Sequence, residues 1–293
     1  MDPFLISAGI DLVEDWWSNK HNSDYDDDFL TGMDLIELYE TNNSEDKSLL
    51  DQAFLHFKKC ERDSSKDYLR AEAYYGQAIC YAYYQNFEEA YKYLRDLQKI
   101  KRKFFQANSD LIEYLQEEGR RLLPKIQAVE AACIKYKKFM KDYAIALNEI
   151  TKYEESNYED VKSLNKSMEI FDKYKNESED YIKAGVLYGM AVCYANNNQF
   201  DIAYENIEKI NQLPRNEDFI IKVQEEAKSL YKCMKNFERS SKEEYKGLNG
   251  TVDITDATTV TEVKNNQNKI IIALAAIIIA LLGFIIYTNF TSK

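Results

Sequence analysis

One phrase occurs twice in this chain. Residues 75–91 read YGQAICYAYYQNFEEAY and residues 188–204 read YGMAVCYANNNQFDIAY, 113 positions apart with no gap. Each copy must satisfy the same packing demands, so the chain is expected to fold as two related helical units. The correspondence runs further. Phe29, Met33, Ile36 and Tyr39 recur 114 positions on as Tyr143, Leu147, Ile150 and Tyr153, and Phe57 recurs as Phe171. The offset drops to 113 by Asp67 and Asp180 and holds through Leu97 and Ile210. The units are expected at about 28–119 and 142–236, within a domain covering residues 1–239.

Apolar residues within the units recur at helical spacing. With only three prolines and nine glycines in 293 residues, the turns of a β architecture are hard to supply, so the fold class is all-α. The pattern predicts helices over Asp28–Glu40 and Lys47–Cys60, then two flanking the YxxxxF turn. A further helix closes each unit, over Phe104–Leu123 and Phe219–Phe237.

The pair around the turn has fixed small and aromatic positions. They are Tyr74, Ala78, Tyr81, Phe87, Ala90 and Leu94 in the first copy, and Leu187, Ala191, Tyr194, Phe200, Ala203 and Ile207 in the second. Small alanines let two helices cross closely, and the aromatic pair fills the space beside the crossing. This spacing resembles a divergent tetratricopeptide repeat, a helix–turn–helix unit that stacks into an α-solenoid. The first copy lacks the family's closing proline, and Pro214 in the second stands one residue early.

The resemblance implies a concave groove lined by Tyr75, Ile79 and Tyr83 in the first copy and by Tyr188, Val192 and Asn196 in the second. Chaperone-binding members of the family place Lys and Asn there to clamp a carboxylate; an apolar, aromatic row suits an amphipathic helix or an extended apolar peptide. The competing expectation is that neighbouring helices of the same chain cover these residues. Phe4, Leu5, Ile6, Ile10, Leu12, Val13, Trp16 and Trp17 also follow helical spacing. They read as a first core helix or as a displaceable arm that fills the groove.

Signals for chemistry are sparse. His21 and His56 are the only histidines, and neither sits at ligand spacing with another metal-binding residue beyond the abundant acids. No phosphate loop, dinucleotide fingerprint or nucleophile elbow occurs. Asp24–Asp28 (DYDDD) lacks the glycine and distal glutamate of a calcium loop, and reads as acidic capping of the next helix. No metal, cofactor or enzymatic activity is expected, with a divergent hydrolase or transferase as the rival reading. With net charge −12 and one short basic tract, Lys99–Lys103, nucleic acid is not the expected partner. Five scattered cysteines suit a reducing compartment.

Ser240–Lys269 loses the apolar period and reads as a flexible tether. Ile270–Tyr287 then offers eighteen residues without a charge, apolar on every face, which reads as a transmembrane helix followed by a polar tail at 288–293. A repeat domain with such an anchor resembles the tail-anchored receptors of organelle surfaces. Lys264 and Lys269 precede the span and Lys293 follows it, which favours a cytoplasmic domain. The organelle stays open: mitochondrial outer membrane, endoplasmic reticulum or a bacterial inner membrane. Together these features lead to the expectation of a membrane-tethered adaptor or receptor for a protein or peptide partner. The remaining alternative is a self-associating scaffold.

Overall fold

The computed structural model describes residues 25–42, 46–62, 66–101, 108–215 and 217–248, with side chains to 240. Among these residues every regular element is a helix. In chain order they are α1 Asp27–Thr41, α2 Lys47–Arg62, α3 Asp67–Tyr83, α4 Phe87–Lys99, α5 Ser109–Glu155, α6 Val161–Asp172, α7 Asp180–Asn196, α8 Phe200–Asn211 and α9 Asp218–Leu248. The chain divides into two compact units, Met1–Tyr136 and Lys137–Lys293. Each is a small bundle with its own core.

In the first unit α3 is the central helix, packed against α1, α2 and α4. Its start follows Lys66, and its end is set by a turn in which Gln85 takes φ 57° and the Asn86 N–H donates to the Tyr81 carbonyl at 2.9 Å. Asn86 then caps α4 by accepting the Glu89 N–H. The core is built around Phe57 of α2, which is fully buried. Its ring lies 5.8 Å from that of Phe29 and fits where Gly32 and Gly76 have no side chains. A Cβ on Gly76 would stand 2.3 Å from the ring, so glycine is needed for close approach.

The second unit repeats this plan. Phe171 of α6 lies 5.8 Å from Tyr143 and rests on Gly189, where a Cβ would stand 2.1 Å away. Asn198 takes φ 58°, and the Gln199 N–H donates to the Tyr194 carbonyl at 2.8 Å, at the places of Gln85 and the Asn86–Tyr81 bond. Ala78, Ala90, Ala191 and Ala203 are wholly buried, as the crossing positions require. Cys80 and Cys193 are buried at one shared position, and all five cysteines are free thiols.

Two boundaries differ from those the sequence suggested. The helix expected to stop at Leu123 continues as α5 to Glu155, through Pro124, and the division between units falls inside it at Tyr136. Proline costs a helix one N–H and crowds the carbonyl four residues back. Here both Pro124 and Arg120 are exposed, so that carbonyl can turn to water. The other difference is at Ser240, read as the start of the tether. Helix α9 carries on to Leu248, since SSKEEYKGL is rich in residues that tolerate helix well. Among the described residues no helix is long and apolar enough to cross a membrane. The Ile270–Tyr287 span, the rest of the tether and the apolar Phe4–Trp17 segment lie outside the described residues.

Candidate partner-binding groove

The six residues expected to line an open groove are not presented that way. Tyr75, Ile79, Tyr83, Tyr188 and Val192 are buried, and Asn196 is half-buried, donating to Glu154 Oε1 at 3.4 Å. The reason is the central place of α3 and α7: with neighbours on several sides, the rows read as a binding face are core. Of the two expectations, coverage by neighbouring helices is the one this burial matches.

An open groove exists elsewhere, between α4 and the start of α5. Helix α4 turns Ala90, Leu94 and Leu97 inward. Helix α5 answers with Leu111, Ile112, Leu115 and Leu122, all buried. A side-chain clasp sets their spacing. The Gln116 Nε2 group donates to the carbonyls of Leu97 and Ile100, each at 3.0 Å, at the end of α4 where carbonyls lack helical partners. In return the Gln98 Nε2 group donates to the Gln116 carbonyl at 2.7 Å. Next to the clasp, Gly119 lets the helices approach; a Cβ there would lie 2.9 Å from a Leu97 methyl.

Outward from the clasp the helices leave a groove of about 430 Å³. Tyr91, Leu94, Gly119 and Leu123 give it apolar walls, and Arg95 and Arg120 stand in its lining. The Tyr91 hydroxyl donates to Glu130 Oε2 at 2.5 Å, so Glu130 is engaged. Burial, followed by that neighbouring carboxylate, pushes the Tyr91 hydroxyl well above the usual phenol range. Arg120 pairs with Glu117 one turn back on the exposed surface, at 2.5 Å. Among the described residues Arg95 has no carboxylate in ion-pair range. Arg95 is therefore the cation of this lining that no carboxylate pairs among the described residues, with Glu130 across the groove.

Sequence reading missed this place because it followed the repeat only as far as Leu97 and Ile210. After the next loop the register resumes at an offset of 108. The Gln224 Nε2 group donates to the carbonyls of Ile210 and Leu213 at 3.0 Å, the same clasp in the second unit. Glu118 and Glu226, Leu122 and Leu230, and Glu130 and Glu238 then match. Leu123, by contrast, becomes Tyr231, Gln127 becomes Lys235 and Arg95 becomes Glu208.

Six glutamates are buried among the described residues, and in two of them burial raises the carboxyl pKa. Glu72 is fully enclosed, accepts the Asp26 N–H at 3.1 Å, and is pushed up to about 8, chiefly by burial. Burial pushes Glu154 up to about 7, against its bond from Asn196. Neither lines the groove. Among the described residues no group of His, Cys, Asp and Glu is arranged to hold a metal ion. Compared with protein-family models, curated proteins and solved structures, the chain matches none of them.

Proposed function

We propose that this chain is a membrane-tethered helical adaptor that holds a protein partner in the α4–α5 groove of its first unit. The groove carries this reading: a concave, largely apolar slot with Arg95 in its lining, its walls joined by a side-chain clasp. Tethering rests on the uncharged Ile270–Tyr287 stretch. The repeat-like hairpins are consistent with a tetratricopeptide-type scaffold, a class that works by binding.

The test is a photoreactive leucine analogue, an aliphatic diazirine that keeps the side chain's size, at Leu123 in the full chain, expressed in its own cells, with fractionation of the membranes. A discrete crosslinked protein in the membrane pellet is expected. No crosslink from Leu123, or a full chain that stays soluble after carbonate washing, removes the adaptor reading.

A further inference from the structure

The two units can be read as an internal control, because the second places an aromatic pair where the first has Tyr91 and Leu123. In the second unit Tyr231, at the place of Leu123, lays its ring 5.0 Å from that of Tyr204, the counterpart of Tyr91. The Lys235 ammonium sits 4.2 Å from the Tyr204 ring centre and 5.7 Å from that of Tyr231, and bonds to Glu238 Oε2 at 3.3 Å. An aromatic ring supplied by α9 itself therefore lies against Tyr204, where the first unit offers only the aliphatic Leu123.

The first unit lacks that ring. Leu123 is shorter, Gln127 replaces the lysine, and the carboxylate at Glu130 is already taken by the Tyr91 hydroxyl. The charge at the rim is also inverted, since Arg95 stands where the second unit has Glu208. Resting on the adaptor reading above, we infer that the groove takes a peptide segment that brings an aromatic side chain with a carboxylate beside it. The ring packs on Tyr91 as Tyr231 packs on Tyr204. The carboxylate meets Arg95, whose guanidinium fork has no ion-pair partner among the described residues. Aromatic anchors in a preformed slot are the usual source of binding energy in such contacts.

The experiment uses the full chain in detergent micelles and three fluorescein-labelled helical peptides on one alanine–glutamine frame. The first carries a central tyrosine with glutamate one turn to either side. The second replaces the tyrosine by alanine, and the third replaces both glutamates by lysine. Fluorescence anisotropy should show the first peptide bound at least about tenfold more tightly than either other, a difference of about 1.4 kcal/mol. Leu123→Tyr and Arg95→Glu, each importing the second unit's residue, should weaken it about tenfold without lowering the urea midpoint. Equal binding of the three peptides, or no effect of either substitution, overturns the inference. If peptide preference is absent while Leu123 still crosslinks a protein in cells, the adaptor stands and its partner has different chemistry. If both fail, both readings fall.

Discussion

The first helices of the two units pack under different chemistry. In the second unit Phe139 fits against Gly185, where a Cβ would stand 2.7 Å from its ring, and next to it Met140 is buried. In the first unit the same three places hold Tyr25, Glu72 and Asp26. There Glu72 takes the Asp26 N–H, and the Cys60 thiol lies 3.8 Å from Asp26 Oδ1. Yet Phe57 and Phe171 occupy the same slot with the same ring spacing in both. The difference teaches which contacts define the unit. Glycine-seated rings and clasps are shared, while the surrounding interior is apolar in one unit and polar in the other on the same helical plan.

If the seated rings define the units, removing them has the largest effect. Phe57→Ala and Phe171→Ala should each cost about 3–5 kcal/mol in urea unfolding of the full chain. A small loss for only one would mean that the slots are not equivalent. Filling the seat from the other side is the next effect. Gly76→Ala and Gly189→Ala should each cost about 1–3 kcal/mol by overpacking, and unchanged midpoints would show that the rings can move aside.

The buried acids separate the units by pH. A carboxyl raised from 4.5 to about 8 keeps its proton in the folded state while the unfolded chain ionises. Stability therefore falls as pH rises from 4.5 to about 8 and is level above that. Glu154 does the same, but only up to about 7. Glu72→Gln should flatten the decline across the wider window and Glu154→Gln across the narrower one, read as urea midpoints at pH 5, 6.5 and 8.5. A decline that survives both substitutions would place its origin elsewhere.

Smaller effects belong to the clasps. Gln116→Leu and Gln224→Leu each strip a donor from two helix-end carbonyls, at about 1–2 kcal/mol. Equal losses would support a shared device, and a loss in one unit alone would break the parallel. Leu123→Tyr should change stability by no more than about 0.5 kcal/mol, since the position is exposed.

Much of this fold was legible because its signals are local. α1 and α2 fall within two residues of their expected bounds, since Asp26 caps the first and apolar periodicity marks both. The turn at Gln85 and Asn198 was visible as a repeated phrase. Pro124 hid the length of α5, because a proline's cost depends on whether the orphaned carbonyl reaches solvent. The groove stayed hidden for a related reason. Periodicity marks Tyr75 and Tyr188 as apolar but cannot tell a row facing a partner from one facing three helices of its own bundle. The informative signal at Leu123 was a contrast with Tyr231, legible only after a five-residue change of offset across a loop.

The Gln116 clasp also has a kinetic consequence. Two of its bonds end on backbone carbonyls at and just past the end of α4, so the groove walls are held together without an occupant. A peptide of the kind proposed would meet a slot already at its working width, and the host would lose little freedom on its entry. Observed association rates should then rise linearly with ligand concentration, with no plateau from an opening step. For the acidic peptide proposed, the Arg95 charge should make their slope fall as salt is added, leaving the dissociation rate nearly unchanged.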